Sequence, residues 1–310
     1  MTMPDTYNLI AVIGPTASGK TSLAARLAHQ LHGAVISADS RQVYRRLNLG
    51  TGKDYDEYRV GNERVPVHLL DIADPGYKYS VFEYQRDFNR TFLAVRAQNR
   101  WPILCGGSGM YIEAATRGYR LTEVPRNETL RSELNLLTLS ALQKILTDLK
   151  KLHNRTDLDT RERAIRAIEI ETYVCSNPAP VNEMPRVFPL YVGVKFDRFT
   201  ERVRITERLQ ERLKQGMVEE VRELLESGIS ADDLIYYGLE YRFITQYLTG
   251  NLSYEKMVMN LNTAICQFAK RQRTWFRKME REGCRIYWLE GELSLEQKIA
   301  RVIRLLGHSS

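Results

Sequence analysis

The chain has 310 residues, 43% of them hydrophobic, which is enough to bury one α/β core and a smaller second lobe. Its 45 Lys and Arg against 38 Asp and Glu leave a net charge of +7, a balance that leans toward a polyanionic partner. Cys105, Cys175, Cys266 and Cys284 lack C-x-x-C spacing, and there is neither a leader-like start nor a long apolar run; a zinc site, a disulfide framework and a membrane partner are not expected, and a soluble, cytoplasmic protein is.

In chain order, aliphatic and β-branched runs at residues 8–13, 34–38, 65–72 and 102–105 predict strands, with helices over 22–31 and 80–99 between some of them. Alternation of this kind implies a parallel, doubly wound sheet covered on both faces. The character changes between residues 118 and 183. Leu-rich periodicity over 128–152, a charged segment over 157–173 and a Pro-containing loop at 176–180 predict a helical insertion between two core strands, and an apolar run at 189–196 rejoins the sheet. Long amphipathic helices are predicted over 200–228 and 253–282, and one more over 293–306. The expected division is a first part of the core over 1–118, the insertion over 119–186, and a core strand with C-terminal helices over 187–310.

Between the first strand and the first helix lie Gly14, Pro15, Thr16, Ala17, Ser18, Gly19, Lys20 and Thr21, which fit G-x-x-x-x-G-K-[ST] in the context that motif demands. Glycine lets successive backbone N–H groups meet phosphate oxygens, and the helix directs its positive end at them. Lys20 adds a point charge and Thr21 offers a hydroxyl to Mg²⁺. The expected fold is therefore P-loop NTPase-like, and the loop binds a di- or triphosphate without saying which.

The second strand ends in Asp39, Ser40, Arg41 and Gln42, at the edge where doubly wound sheets place ligands. A carboxylate, an amide and a guanidinium there suit a base edge, and Asp39 either accepts a proton from an amine or merely caps a helix or holds Mg²⁺. Lys53, after Gly50-Thr-Gly, either joins this edge or is a solvated loop lysine. The strand at 102–105 runs into Gly106-Gly-Ser-Gly-Met-Tyr111, where Ser108 either meets an anion or caps the next helix.

Residues 14–21, 39–44, 50–53, 68–75, 106–111 and 267–277, in that order and over nearly the whole chain, resemble the tRNA dimethylallyltransferase family. The resemblance implies prenylation of N6 of the adenosine 3′ of the anticodon, with dimethylallyl diphosphate as donor and Mg²⁺ as cofactor; a monomer is expected, since RNA and a small donor already occupy two faces. The resemblance makes Asp39 the general base, Ser40, Arg41 and Gln42 its tRNA-contacting neighbours, and residues 16–21 the diphosphate cradle. Ser108 stands where the family usually has Thr, keeping a hydroxyl for the bridging oxygen. Arg204 and Arg208 fall on paired arginines four residues apart, of which one could hold diphosphate. Glu162, Arg163 and Arg166 fall on a tRNA-contacting run with few identities, and Arg242 matches within a position or two. Lys270, Arg271, Arg273, Arg277 and Lys278 crowd one helix with Trp275 and Phe276, the bases suited to RNA phosphates and the aromatics to inward packing.

Two rivals stay open from the residues alone, and a third, a tRNA-binding module without catalysis, is disfavoured by the intact phosphate loop and Asp39. One is a nucleotide kinase or ATPase with Asp39 or Asp71 as its metal carboxylate. The other is a prenyltransferase acting on free adenine nucleotides, against which the insertion and the basic helix argue.

Overall fold

The computed structural model describes residues 7–119, 121–149, 158–177 and 184–307. In chain order the elements are β1 (Leu9–Ile13), α1 (Lys20–Gln30), β2 (Gly33–Ser37), a single 3-10 turn (Tyr55–Tyr58), β3 (Arg59–Val60), β4 (Glu63–Arg64), β5 (Val67–His68), α2 (Val81–Ala97), β6 (Trp101–Gly106) and α3 (Gly109–Thr116). There follow α4 (Glu128–Leu134), α5 (Leu139–Leu149), α6 (Arg161–Ser176), β7 (Pro189–Lys195), α7 (Arg198–Lys214), α8 (Met217–Glu226), α9 (Ala231–Tyr236), α10 (Leu239–Leu248), α11 (Tyr254–Arg281), β8 (Ile286–Glu290) and α12 (Leu295–Gly307).

Strands pair in the order β5-β2-β6-β1-β7-β8, and every pairing in this sheet is parallel. Side chains alternate across it with period two. Leu9, Ala11 and Ile13 point into a core shared with Tyr84 and Phe88 of α2 and Ile112 of α3, whereas Ile10 and Val12 meet Leu23 and Leu27 of α1 and Val302 of α12. Helices on both faces explain why β1 is apolar at all five positions and wholly buried.

The predicted strand at 65–72 shrinks to Val67–His68 because Leu69 and Asp71 take left-handed φ of 61° and 54°, ending the ladder. The helix expected over 200–228 is broken into α7 and α8 at Gly216, whose φ is 100°. The one expected over 128–152 divides at residues 135–138, and its last part, 150–152, lies outside the described residues, as do residue 157 and residues 178–180. The sixth strand, β8, carries no prediction. No described helix is long and apolar enough to cross a membrane.

The chain separates into two compact units, one of residues Met1–Tyr119 with Pro185–Ser310 and the other of Arg120–Met184. The smaller unit packs Leu134, Leu142, Leu146, Ala164, Ile165 and Ile168 into its own core. Beside that core the buried Glu169 carboxylate accepts hydrogen bonds from Arg131 at 2.8 Å, from the Asn127 N–H at 2.6 Å and from Arg166.

Candidate active site

Parallel register brings the ligand-bearing loops together. Ile13 stands opposite Gly106, and Ser37 opposite Cys105, so the residues that follow β1, β2 and β6 leave the sheet side by side. Gly106 permits this closeness, since a Cβ there would lie 2.2 Å from the Ala38 carbonyl oxygen.

After β1 the chain wraps through Gly14 to Gly19 onto the start of α1. Gly19 holds the N-cap position with no side-chain cap, and the first turn carries no acidic residue, which leaves its N–H groups and positive dipole end facing outward. They border a cavity of about 460 Å³ lined by Ala17, Ser18, Gly19, Lys20 and Thr21 on one side, with Glu57, Arg204, Glu207, Arg208 and Glu211 completing the wall. Lys20 Nζ makes one hydrogen bond, to the Pro15 carbonyl at 3.2 Å, and burial lowers its pKa. Among the described residues the buried Ser18 Oγ has no partner. Beneath Lys20 and Thr21, burial pushes the Cys105 thiol up to about 12, so it stays neutral.

Helix α7 supplies the guanidinium groups. Arg204 Nε donates to the Ala17 carbonyl at 2.9 Å and its guanidinium lies 4.5 Å from the centre of the Phe196 ring, which aims it along the phosphate loop. One turn on, Arg208 pairs with Asp54 at 2.8 Å, and Arg212 with the same carboxylate at 3.1 Å. Burial, reinforced by the neighbouring Arg208, lowers the pKa of Arg212.

At the end of β2, Asp39 Oδ1 accepts the Arg41 N–H at 2.9 Å, and no hydrogen-bond partner is found for Oδ2 among the described residues. The Ser40 N–H donates to Ser108 Oγ at 3.0 Å, and the Ser108 N–H donates to the Ala38 carbonyl at 3.2 Å. Ser108 occupies the N-cap position of α3 but makes no capping bond, so the helix-cap alternative is set aside: its hydroxyl faces Ser40. Arg41 lies 5.3 Å from the ring centre of Tyr236, an aromatic residue not anticipated from the sequence, with Lys78 at 5.5 Å. Gln42 turns toward the next loop, donating to the Gly52 carbonyl at 2.9 Å and the Thr51 carbonyl at 3.3 Å.

Lys53 is neither an edge ligand nor a solvated lysine. Its side chain is fully buried, its ammonium meets Asp71 at 2.5 Å and donates to the Tyr44 carbonyl, and burial lowers its pKa. Tyr55 donates to the other Asp71 oxygen at 2.5 Å, so the carboxylate proposed for a kinase-type metal is engaged twice. Just before, the N–H groups of Asn48, Leu49 and Gly50 converge on the Glu220 carboxylate at 3.0, 2.8 and 3.1 Å.

On α11, Lys270 is exposed, whereas Arg273 pairs with Glu201 of α7 and has its pKa lowered by burial and by Arg198 and Arg277. Phe276 is buried and Trp275 half-buried. The same helix turns Gln272 inward to bond the phosphate loop and the turn after β6. Sequence reasoning missed this residue; it stands inside the 267–277 run, but its partner Thr16 is 256 residues away. Arg242 is exposed on α10, 5.8 Å from the ring centre of Phe243. Within the smaller unit Glu162 and Arg163 are exposed on α6, Arg163 near Asp159 at 3.5 Å, whereas Arg166 is held by Glu169 and by the Val124 carbonyl at 2.9 Å.

A parallel sheet with a Gly-Lys-Thr loop between its central strand and first helix, and polar residues at the adjoining strand ends, defines a P-loop NTPase-like fold. Residues 42–279 match the IPP transferase family, and the chain belongs to it. It is 53% identical over 302 residues to tRNA dimethylallyltransferase 1 of Parabacteroides distasonis, covering 97% of this chain and 98% of that one. With tRNA dimethylallyltransferase 2 of Bacteroides fragilis the identity is 54% over 299 residues, 96% and 97% of the two chains. Among solved structures, the tRNA isopentenylpyrophosphate transferase of Bacillus halodurans superposes with a TM-score of 0.72 at 29% identity, covering 98% of this chain and 97% of that one. A eukaryotic dimethylallyltransferase acting on tRNA shares the fold, with a TM-score of 0.76 at 19% identity over 98% and 80%.

Proposed function

We propose that the chain transfers the dimethylallyl group of dimethylallyl diphosphate to N6 of the adenosine 3′ of the anticodon in tRNA, releasing diphosphate. One observation carries the reading: at the end of β1 a loop with Lys20 and a helix N-terminus that has no side-chain cap, and beside it at the end of β2 a carboxylate with no hydrogen-bond partner for one oxygen among the described residues. The activity named for the relatives calls for that pairing of an anionic leaving group with an amine nucleophile.

In the reaction the allylic C1–O bond breaks and the N6–C1 bond forms. The electron pair of the broken bond goes to diphosphate, whose growing charge is met by the loop N–H groups, Lys20, Ser18 and Arg204. Adenine N6 is a weak nucleophile because its lone pair is delocalised into the ring. Asp39 Oδ2 accepts its N–H hydrogen bond and takes the proton as the new bond forms. Ser108, bonded to Ser40, offers its hydroxyl to the bridging oxygen of the leaving diphosphate. The adenosine must leave its stack, at a cost of roughly a few kcal/mol, which contacts from Arg41, Tyr236 and the exposed bases Lys270 and Arg242 offset.

Among the described residues no group of three or more His, Cys, Asp or Glu is placed to hold a metal ion. Thr21, in the cavity wall beside Lys20, would hold Mg²⁺ through its hydroxyl, with water and diphosphate oxygens completing the shell. When bound, it would neutralise charge on the leaving group. A reducing cytoplasm fits the free thiols, and a monomer fits a chain whose RNA and small donor occupy two faces.

The test supplies labelled dimethylallyl diphosphate and Mg²⁺ with unmodified tRNA in one reaction and AMP or ATP in another. Label on the adenosine beside the anticodon is the expected result. Label on free nucleotide would move the acceptor to that class, and ATP hydrolysis without transfer would return the kinase or ATPase reading.

A further inference from the structure

Helix α11 mixes two kinds of residue. Lys270 and Arg271 are exposed, but the next residue, Gln272, is turned into the protein and only 7% exposed. Both ends of its carboxamide are used: Oε1 accepts the Thr16 N–H at 2.9 Å, and Nε2 donates to the Gly107 carbonyl at 2.9 Å. Thr16 belongs to the phosphate loop. Gly107 directly precedes Ser108, which holds Ser40 beside Asp39.

A group with an acceptor and a donor on one carbon, at this reach, is needed to join a main-chain N–H to a main-chain carbonyl. Glutamate offers no donor at neutral pH, methionine offers no donor and only a weak acceptor, and asparagine is one methylene short. The turn after β6 is shaped to admit the amide, since a Cβ on Gly107 would sit 2.3 Å from Gln272 Nε2.

We propose that Gln272 is a positioning residue: it holds the phosphate loop in register with the Gly107-Ser108 turn, and so fixes the leaving group relative to the nucleophile held by Asp39. The proposal rests on the transferase reading above. In an in-line displacement a misplacement of about 1 Å costs on the order of 100-fold in rate, so a strap between the two loops acts on the chemical step as well as on the fold.

The test uses the full chain carrying Gln272→Met or Gln272→Glu. Three quantities are measured: the single-turnover rate at saturating donor and tRNA, the Kd of inorganic diphosphate with Mg²⁺ by calorimetry, and the tRNA Kd. Gln272→Met is expected to slow transfer about 10- to 100-fold and weaken diphosphate binding several-fold, roughly, with tRNA Kd within about 2-fold of wild type. Gln272→Glu keeps the acceptor for Thr16 but loses the donor to Gly107 and sets a negative charge against the phosphate loop, so it is expected to slow transfer and to weaken diphosphate binding. Rates within about 2-fold of wild type in both, or a loss confined to tRNA affinity, would overturn the proposal. Should either variant fail to fold, Gly107→Ala approaches the same contact from the other side. Its loss and that of Gln272→Ala are expected not to add in the double variant, and full additivity would count against the strap. If wild type transfers to no acceptor the transferase reading fails, and diphosphate Kd alone then decides whether Gln272 orders the phosphate loop.

Discussion

Two loops at the carboxyl edge of the sheet place a lysine directly behind a glycine, and their surroundings divide them. Around Gly19-Lys20 the backbone N–H groups have no side-chain cap, and Lys20 makes one hydrogen bond of 3.2 Å to its own loop. Around Gly52-Lys53 everything is consumed internally. Glu220 fills the nest formed by the N–H groups of Asn48, Leu49 and Gly50, and Asp71 takes the lysine. Both lysines have their pKa lowered by burial, so burial alone does not separate them. A carboxylate of the chain itself answers the second nest, whereas no side chain caps the first, as the proposed diphosphate site requires. Glycine and lysine spacing alone therefore does not define an anion site; an unanswered set of donors does.

The sharpest way to break this comparison is through the two aspartates. Asp39 has an open oxygen, and Asp39→Ala is expected to lower the single-turnover rate by about 10²- to 10⁴-fold while leaving tRNA Kd within roughly 3-fold. Near-wild-type turnover in a rapid-quench assay would remove Asp39 from the chemistry. Asp71, engaged by Lys53 and Tyr55, belongs to the filled side.

Next in size is the pair of lysines themselves. Lys53→Met leaves Asp71 without its ammonium; because that carboxylate is 30% exposed, the expected loss is about 2–3 kcal/mol of stability, below the range for a fully buried pair. Lys20→Met should move the melting temperature little and raise the diphosphate Kd by about 10- to 100-fold. Thermal melts and calorimetry on both variants read the two quantities. The contrast fails if each mutation disturbs both to the same degree.

What could be seen in the sequence follows from the reach of each interaction. The phosphate loop was legible because its parts are contiguous and its chemistry is local to Gly14 through Thr21. Ser108 and Asp39 were legible as positions, though only the structure joins Ser108 to Ser40 and not to the helix it precedes. Gln272, Glu220 and Asp54 were not, since their partners lie 256, 170 to 172 and 154 to 158 residues away. Lys53 could be taken for a surface lysine because nothing nearby in the chain announces the turn that brings Asp71 back. That turn depends on left-handed backbone at Leu69 and Asp71, where an aliphatic and β-branched run had suggested a longer strand.

The smaller unit contains a filled cluster of its own, with a pH signature. Burial would raise the Glu169 pKa, but hydrogen bonds from Arg131, the Asn127 N–H and Arg166 prevail and hold it at about 2. A carboxylate so depressed contributes stability that is fully present above its unfolded pKa of about 4.3 and is lost as the pH falls through the folded value. Glu169→Gln is expected to cost about 2 kcal/mol near neutral pH and to remove that acid dependence. Hydrogen exchange in α4 and α6, compared between wild type and variant across this window, checks both. An acid dependence that persists in the variant would place the depressed carboxylate elsewhere.

The smallest effect separates the free base from the paired one on α11. Lys270 is exposed, and if it meets an RNA phosphate, Lys270→Ala should reduce the magnitude of the slope of log K against log salt by about 0.7, one released counterion. Arg273 is tied to Glu201, itself 5% exposed, so Arg273→Ala abandons a buried carboxylate and should lower the melting temperature with less change in slope. Filter binding over a salt series, beside melts of the same preparations, distinguishes the outcomes. An equal flattening by both would mean that the Arg273 pair with Glu201 opens when RNA arrives, and the line between filled and open charges on this helix would then be drawn by the ligand and not by the fold.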